Sequence, residues 1–489
     1  MTTTSRPTAR AARKVSRRSD PDRLSTGAGL AWTTTGLSGA VNYLFLGMWV
    51  FYGTDVLGLN PAVLGTLALV SKLLEAVVVV ISGWLVDRTP ETRWGKARPY
   101  ELAIVGVWVA TYALFSTPDF NDVGKTVWLF VWLVMANVVF TSLLGANDYL
   151  YLARAFNSRV LVAKVSTRTG FFTTVGVVVF NVALPVFLAQ AGTSAPAWSM
   201  LALYLAIPLA LIGLGRFLFF KERYQTEAED APKVTFRDIR EVLTTNHYIW
   251  IIAGISFVSS LAGGTGIAVY YFKYVVGDIS LMSFTGLIPV LILPSMLFFP
   301  RLMKKFKVST IITTGAIAGV LAGALMIVAN GNLILILISS ALSGLGILPI
   351  TFLTQLLVID NASYNQWSGR RRLESTMGAI TTFFVRLGAG AGGAATGWVL
   401  GVVGYDGTAE TQSPSAVTGI VLLAGAFPAV LWIGVVLVMR PYRKFEQMLP
   451  TITQSLAVIT ADDPKVDTVK PESVPGTVRT STDEHSADK

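Results

Sequence analysis

Two ionisable residues, Lys72 and Glu75, stand in the middle of a long apolar stretch of this sequence. In a helix, a spacing of three residues places both side chains on one face, within reach of each other. A carboxylate held beside a cationic group in apolar surroundings can bind and release a proton or a small cation. The pair therefore indicates a cation- or proton-responsive site. The alternative is a self-neutralising pair that only helps the helices to pack.

The composition argues against most other chemistry. The sequence has no cysteine, and both histidines, His247 and His485, lie in polar segments. We therefore expect no metal centre and no histidine- or cysteine-based catalysis. The glycine-rich stretch Leu387–Gly397 lies within an apolar run, and no strand precedes it, so it predicts close helix contact and not a nucleotide site. We expect a protein that is not an enzyme and carries no cofactor.

The amino-acid composition is typical of a chain that crosses a membrane many times. Hydrophobic residues make up 53% of the 489 residues and charged residues only 14%, against roughly 25% charged residues in soluble proteins. A spanning helix needs about 20 mostly apolar residues. Twelve stretches meet this need: Ala31–Gly53, Pro61–Val86, Pro99–Thr117, Thr126–Leu152, Ser166–Gln190, Ala197–Phe220, Tyr248–Tyr274, Ser280–Phe299, Ser309–Ala329, Leu333–Val358, Glu374–Gly404 and Ala416–Met439.

Lysine and arginine are concentrated on one side of these stretches. They are frequent in the N-terminal tail and in the even-numbered loops, whereas the odd-numbered loops hold little more than Lys125 and Lys273. Because basic residues accumulate in cytoplasmic loops, we expect an integral protein of the cell (plasma or inner) membrane with both termini cytoplasmic. The same distribution argues against nucleic acid as a partner, although the net charge is +10.

A longer polar loop divides the twelve stretches into two sets of six, with basic connectors at equivalent places. Two six-helix halves with a site between them are typical of major facilitator transporters. We therefore predict an all-α membrane protein with the major facilitator fold. Its expected parts are a basic cytoplasmic tail (1–30), an N-terminal half (31–220), a central cytoplasmic loop (221–247), a C-terminal half (248–440) and a disordered cytoplasmic tail (441–489).

The connector between the second and third stretches, SGWLVDRTPETRWGKARPY, changes abruptly from apolar to charged residues. We interpret it as a cytoplasmic gate that makes and breaks contacts between helices. The alternative, a cluster that only determines topology, explains the basic residues but not Asp87 or Gly83. The candidate gate residues are Gly83, Asp87, Arg88, Arg93, Lys96 and Arg98.

Short motifs recur along nearly the whole chain. FYGTDVLGL, GWLV and RWGKARP come first, and YYFKYVVGD, FFPRLMK and RRRLES follow. Together they resemble the glycoside–pentoside–hexuronide:cation symporter family, the melibiose permease-like branch of the major facilitator superfamily. This resemblance implies a secondary transporter of a sugar derivative that is driven by a cation gradient.

The resemblance also implies roles for individual residues. Lys72 and Glu75 occupy the places of a basic residue and an acidic cation-site residue. Asn147 competes with Asp148 for the register of an acidic sugar-binding residue, and a salt bridge between Asp148 and Arg168 that locks one state is the alternative role for that pair. The residues implied to contact substrate are Asp148, Tyr151, Arg168, Thr382 and Arg386.

The chain departs from the family at four of the expected positions. Val79 stands in place of a second cation-site acid, and Gly145 in place of a hydroxyl that helps to hold the cation. A sodium ion wants several oxygen ligands, whereas one carboxyl group can carry a proton, so we favour a proton over sodium. Gly39 and Leu152 stand where the family has a sugar-binding acid and a tryptophan, so we expect a substrate other than a simple galactoside.

The charges expected around the cavity place an anionic substrate slightly ahead of a neutral one. These charges are the bases Lys72, Arg168 and Arg386 and the acids Glu75 and Asp148. One positive charge is left over, and the carboxylate of a uronide would relieve the cost of an unpaired cation within a membrane. The arginine at position 386, where the family has a lysine, also supplies the planar fork that binds a carboxylate with two parallel hydrogen bonds.

These observations predict a symporter of a sugar, glycoside or uronide that works by alternating access. Its partners would be the small-molecule substrate and the lipid bilayer, and we expect a monomer. A lipid or lysolipid transporter of the same fold is one alternative. A membrane sensor or scaffold that has lost transport is another.

The charge distribution makes the topology testable. Reporter fusions after Gly53 and after Gly404 should report a location outside the cytoplasm, and a fusion after Lys96 should report the cytoplasm. A fusion after Lys96 that reports the outside would contradict the orientation of every helix.

Overall fold

A computed structural model describes residues 26–156, 159–222, 236–292, 299–370 and 373–462 of the chain. The described residues form helices, and an isolated bridge between Thr92 and Gly95 is the one strand-like pairing among them. The predicted all-α class is therefore confirmed. The basic tail up to residue 25, much of the central loop (223–235) and the end of the C-terminal tail (463–489) lie outside the described residues.

Fourteen helices of ten or more residues make up most of the described chain. They are α1 Thr26–Leu46, α2 Pro61–Arg88, α3 Ala103–Leu114, α4 Asp122–Leu133, α5 Thr141–Ala155, α6 Arg159–Ala191, α7 Ala195–Gly213, α8 Phe236–Thr245, α9 Tyr248–Gly263, α10 Val308–Ala329, α11 Leu333–Trp367, α12 Glu374–Val402, α13 Pro414–Ala424 and α14 Ala426–Asp462. Shorter helical segments join them, among them the 3₁₀ helix Arg98–Leu102 and the π-helices Tyr52–Val56, Val134–Phe140 and Phe272–Val276.

Within the described part, eight helical segments are long and apolar enough to cross a membrane: Pro61–Gly83, Asp122–Leu152, Lys164–Ala191, Ala195–Phe219, Tyr248–Val276, Val308–Ala329, Leu333–Trp367 and Pro414–Leu456. Helices also occupy the described residues of the other four predicted stretches. The helices concerned are α1, α3, α12 and the short helices between Ile279 and Ile292. They are shorter or interrupted, or they are rich in glycine and polar residues. Twelve spans remain a prediction.

Helix starts follow from local capping residues. Asn60 precedes α2, and its side chain accepts a hydrogen bond from the backbone N–H of Ala62, while Pro61 occupies the first helical position. Ser413 and Pro414 begin α13 in the same way. Side-chain oxygens at such positions satisfy backbone donors that have no partner in the first turn, and proline lacks the donor altogether.

The C-terminal end of the chain differs from the prediction. The tail from residue 441 was expected to be disordered, but α14 continues to Asp462. Tyr442, Phe445 and Ile452 are buried against the C-terminal helices. Their spacing places them on one face of a helix, and burial of that face stabilises residues that look polar on average.

The N-terminal part (26–222) and the C-terminal part (236–462) meet most closely where α2 crosses α12. A side chain at Gly397 would overlap the carbonyl oxygen of Pro61 and the backbone of Gly65. Further along, a Cβ atom at Gly390 would lie 2.8 Å from Cβ of Lys72. Glycine therefore allows the two helices to touch through their backbones, as predicted for the stretch Leu387–Gly397.

This close contact lies toward one end of the bundle. We name the two ends the Trp32 end, where Trp32 packs on Tyr151, and the Asp55 end, where Asp55 contacts Lys273. The contact between α2 and α12 lies toward the Asp55 end. Toward the Trp32 end, a Cβ atom at Gly83 on α2 would meet no described atom within 4 Å. The contact that closes the two parts at the Asp55 end therefore does not extend along α2 to Gly83.

The backbone contact gives a direct stability prediction. Gly397→Ala should destabilise the purified protein by about 1–3 kcal/mol, because the added methyl group overpacks the contact with α2. Gly378→Ala is the matched control on the same helix, since its added methyl group meets nothing within 4 Å and alanine favours helix. Thermal unfolding in detergent should show a lower Tm for Gly397→Ala only, and equal Tm values for the two variants would contradict the contact.

Candidate functional site: a charged cluster and two adjoining cavities

A cluster of three charges lies at the inner border of the contact between α2 and α12. Glu75 accepts hydrogen bonds from Nζ of Lys72 at 2.7 Å and from Nη1 of Arg386 at 2.6 Å. The Glu75 side chain is 14% exposed. The pair predicted on α2 thus has a third member on the C-terminal part, which leaves two positive charges around one carboxylate.

A central cavity of about 260 Å³ lies beside this cluster. Helices of both parts line it, since Tyr43, Lys72 and Asn137 come from the N-terminal part and Tyr270 and Gly390 from the C-terminal part. The ammonium group of Lys72 lies 5.9 Å from the centre of the Tyr43 ring. The basic member of the pair therefore faces a space between the two parts.

A larger cavity of about 630 Å³ lies within the N-terminal part. We call it the N-terminal cavity. Helices α1, α3, α5 and α6 contribute to its walls, and Tyr43 and Asn137 line both cavities, which are therefore neighbours. Its polar and charged lining residues include Asn42, Glu101, Asp148, Thr169, Thr173 and Arg216.

Asp148 lies at this cavity and pairs with Arg216. The predicted alternative, a salt bridge between Asp148 and Arg168, is absent among the described residues. Arg216 also donates from Nε to the carbonyl oxygen of Trp32 at 2.8 Å. Arg168 instead has a buried Nη1 atom without a hydrogen-bond partner among the described residues. The competing register residue, Asn147, is fully buried and does not line the cavity.

Two further residues of the predicted substrate site lie elsewhere. Tyr151 is fully buried at the Trp32 end, where its hydroxyl lies 3.1 Å from the carbonyl oxygens of Arg216 and Phe220. Thr382 is exposed and donates its hydroxyl to the carbonyl oxygen of Gly378 on its own helix. Neither residue lines the two cavities.

A second cluster joins the two parts at the Asp55 end. The Asp55 side chain is fully buried and accepts hydrogen bonds from Nζ of Lys273 at 2.6 Å and from the hydroxyls of Thr54, Tyr274 and Tyr405 at 2.7 Å each. All of these donors except Thr54 belong to the C-terminal part. The carboxylate thus ties the end of the first helical stretch to the ends of two C-terminal ones.

The comparisons with known proteins agree with this geometry. The profile of the MFS/sugar transport protein family matches residues 27–443. The chain belongs to this family. It is similar to the uncharacterized symporter YnaJ of Bacillus subtilis, at 29% identity over 78% of this chain and 84% of the relative. It is also similar to the isoprimeverose transporter of Lactiplantibacillus pentosus, at 27% identity over 76% of this chain and 78% of the relative.

A solved structure shows the same fold. The crystal structure of the nucleoside transporter NupG matches with a TM-score of 0.57 and 15% identity over 84% of this chain and 99% of that chain. The family match and the two symporter and transporter relatives confirm the resemblance to the glycoside–pentoside–hexuronide:cation symporters, and this member of the sugar transport family is an integral membrane transporter and not an enzyme.

The predicted gate of this family member is tied to its own N-terminal part. Glu222 accepts hydrogen bonds from the backbone N–H groups of Ala97 and Arg98 at 2.6 and 2.9 Å, and from Arg154 at 2.9 Å. Burial opposes ionisation of Glu222, but these hydrogen bonds outweigh it and lower its pKa below the ordinary value. Arg154 also bonds Glu91. The connector is therefore held down on the Trp32 end of the bundle.

The candidate gate residues take different positions there. Arg98 donates from Nε to the carbonyl oxygen of Phe217 at 2.7 Å, and Arg93 is exposed and lies over the ring of Trp94. Arg88 is exposed and Lys96 is half-buried. The side chain of Asp87 lies outside the described residues. Arg98 donates hydrogen bonds to Glu222 and Phe217, which both belong to the N-terminal part. The gate role therefore remains a prediction.

Among the charged residues of these clusters that sequence reasoning missed are Asp55, Glu101, Arg216 and Glu222. Glu101 and Arg216 lie inside predicted spans, and this is the same signal that singled out Lys72 and Glu75. Asp55 lies within the quoted motif FYGTDVLGL, just past the end of the first predicted span. Glu222 follows the sixth span directly, and nothing in its sequence context distinguishes it from an ordinary loop charge.

The cluster at the Asp55 end predicts how that end opens. Asp55→Asn should weaken its closure by about 3 kcal/mol, near the lower limit for removing one partner of a buried pair, because the Lys273 side chain keeps 22% exposure. The chain has no native cysteine, so a single Thr265→Cys at the central cavity can report access. An impermeant maleimide that reaches the protein only from the side of the Asp55 end should label this cysteine faster in the Asp55→Asn background.

Asp278→Asn is the control for this experiment, because Asp278 is exposed at the same end and only caps Ser280. It should leave labelling at the parental rate. A labelling rate in Asp55→Asn that equals the rate in the control would show that this cluster does not hold the end closed.

Proposed function

We propose that this chain is a proton-coupled symporter of a sugar or sugar derivative, either a glycoside or a uronide, that works by alternating access. The observation that carries the proposal is the position of Glu75. Its carboxylate bonds Lys72 on its own helix and Arg386 on the other part of the chain, next to a cavity between the two parts. A change of charge at Glu75 thus acts directly on a contact between the two moving parts.

Protonation of Glu75 would remove the negative charge that holds Arg386. An unpaired guanidinium between apolar helices is expensive, so Arg386 must then find another partner or the two parts must move. In this proposal, proton binding releases the bridge between α2 and α12, and the two parts can rock around the central cavity. Deprotonation restores the bridge and completes the cycle.

The arrangement supports a proton over sodium as the coupling ion. The carboxylate oxygens of Glu75 already accept hydrogen bonds from two cationic groups. A sodium ion would have to compete with both and would need several further oxygen ligands. Val79 offers no side-chain oxygen one turn later on α2, and Gly145 offers none on α5.

The charges in and around the two cavities support an anionic substrate slightly ahead of a neutral one. The charged residues that line the cavities, Lys72, Glu101, Asp148 and Arg216, sum to zero. The predicted site residues Glu75, Arg168 and Arg386 do not line them, and these three leave one positive charge in excess. When Glu75 carries a proton, Arg386 and Lys72 have no carboxylate partner among the described residues, and the carboxylate of a uronide can replace it. Arg386 can bind such a group with two parallel hydrogen bonds.

The Trp32 end faces the cytoplasm in this proposal, because the basic connectors lie there. The structure then corresponds to a state that is closed to the outside. One chain supplies both cavities and both clusters, which supports a monomer as the transport unit. The charged and polar lining of the N-terminal cavity favours a sugar derivative over a lipid as the cargo.

Glu75→Gln tests the coupling. The variant keeps the shape of the side chain but cannot release a proton at this position, so uptake driven by a pH gradient into proteoliposomes should be lost. Exchange of substrate between the two sides, which needs no net proton movement, should continue. The substrates to compare are isoprimeverose, methyl β-glucoside and methyl β-glucuronide, of which the glucuronide should be the best substrate of the wild type.

Asp119→Asn serves as the control, because Asp119 is an exposed acid that lines neither cavity. It should keep both uptake and exchange. Uptake by the wild type that follows a sodium gradient at constant pH would contradict proton coupling. Equal transport of the glucoside and the glucuronide would contradict an anionic substrate and leave the coupling result standing.

A further inference from the structure

The acids of the N-terminal cavity differ from those that the resemblance predicts. The acid expected on α1 is absent, and another acid, Glu101, lines the cavity from a different helix. Gly39 on α1 stands in place of the expected sugar-binding acid and lines this cavity, and a Cβ atom added there would meet nothing within 4 Å. Glu101 lines the same cavity from the 3₁₀ helix Arg98–Leu102 that leads into α3. An acid thus faces the same space from a different helix.

Only one of the two carboxylate oxygens of Glu101 has a hydrogen-bond partner among the described residues. Its Oε1 atom accepts a hydrogen bond from Nδ2 of Asn147 at 3.0 Å, whereas its buried Oε2 atom has no partner among the described residues. The residue is 1% exposed. The nearby guanidinium of Arg216 bonds Asp148 and the carbonyl oxygen of Trp32. A buried carboxylate oxygen without a donor is costly, so a ligand that brings a donor would be bound favourably.

Two hydroxyl groups on the facing wall are also without partners. Oγ1 of Thr169 and Oγ1 of Thr173 are buried one turn apart on α6, and neither has a hydrogen-bond partner among the described residues. Thr174 lines the same cavity but donates its hydroxyl to the carbonyl oxygen of Gly170 at 2.8 Å. Helical threonines commonly satisfy themselves as Thr174 does, so the two unpaired hydroxyls remain available to a ligand.

Helix α1 comes close to these two threonines at Gly36. A Cβ atom at Gly36 on α1 would lie 3.3 Å from Cγ2 of Thr169 and 3.5 Å from Oγ1 of Thr173. The same atom would lie 4.0 Å from Nη2 of Arg216. Thr169, Thr173 and Arg216 therefore lie together around Gly36, next to the pair of Arg216 and Asp148, and a larger residue at position 36 would crowd this side of the cavity.

We infer that Glu101, Thr169 and Thr173 form a hydroxyl-binding subsite of the N-terminal cavity, which takes over from the acid missing on α1. The Oε2 atom of Glu101 accepts a hydrogen bond from one sugar hydroxyl, and the two threonine hydroxyls bond other polar atoms of the same sugar ring. The subsite recognises the polyhydroxyl ring that glycosides and uronides share. It acts independently of Arg386, which binds the carboxylate of a uronide in the proposed function. The inference rests on the proposed transport of a sugar derivative.

Two variants test the subsite on the purified full-length protein. Glu101→Gln keeps an oxygen for Asn147 but loses the charged acceptor, and it should bind sugar roughly 10- to 100-fold more weakly, as for the loss of a charge-assisted hydrogen bond. Thr173→Val should bind roughly 3- to 10-fold more weakly. The probes are isoprimeverose, methyl β-glucoside and methyl β-glucuronide, and the measurement is isothermal titration calorimetry.

Thr174→Val is the matched control, because Thr174 lines the same cavity with a hydroxyl that its own helix already binds. It should bind each probe with the wild-type Kd. A Tm measured without sugar shows whether each variant is folded, and if Glu101→Gln is not folded, Thr173→Val against Thr174→Val decides the question.

Three outcomes would overturn the inference. Wild-type affinity in both Glu101→Gln and Thr173→Val would exclude the subsite, while a loss of proton-driven uptake in Glu75→Gln would leave the proposed function intact. Wild-type affinity in Glu101→Gln with an altered pH dependence of uptake would show that Glu101 carries a proton instead. A wild type that binds none of the three sugars would overturn the subsite and the proposed substrate class together.

Discussion

A charged side chain between apolar helices must have a partner, because an isolated charge there costs several kcal/mol. In this transporter, two buried acids of the described interface, Glu75 and Asp55, each have a cationic partner on the other part of the chain, and Glu75 has a second one, Lys72, on its own helix. Glu75 on α2 meets Arg386 on α12, and Asp55 meets Lys273. The acids belong to the N-terminal part and the bases to the C-terminal part in both cases. The need to neutralise these charges therefore holds the two parts together at the Asp55 end.

The glycines of α12 make this pairing geometrically possible. Gly390 and Gly397 bring the backbone of α12 onto α2, and this close approach puts the guanidinium of Arg386 within 2.6 Å of Glu75. A larger residue at either glycine would move the helices apart and lengthen the ion pair. The packing and the electrostatics of the interface thus depend on each other. An event that breaks the ion pair therefore weakens the helix packing, and the reverse also holds. A transporter that alternates between a state closed at one end and a state closed at the other needs such a contact.

The parts of this arrangement that depend on neighbouring residues could be predicted from the sequence. The helices follow from apolar runs and capping residues, and the contact between Lys72 and Glu75 follows from a spacing of three. The third member of the cluster could not be predicted in this way, because Arg386 is 311 residues from Glu75 and no periodicity connects them. The partner of Asp148 was missed for the same reason, although Arg216 is an isolated charge in a predicted span. The helical residues beyond 440 were missed because average polarity hides an apolar face.

The separation of the two cavities bears on how substrate and proton act together. The charged cluster lies beside the central cavity, whereas Glu101, Thr169 and Thr173 lie in the N-terminal cavity. Tyr43 and Asn137 form part of both walls, so a sugar bound in the N-terminal cavity adjoins the side chains that border Lys72. A substrate that spans both cavities would contact hydroxyl-binding groups at one end and the released bases at the other. In the proposed mechanism, coupling would need no long pathway through the protein, since an anionic substrate would itself supply the charge that a protonated Glu75 no longer provides.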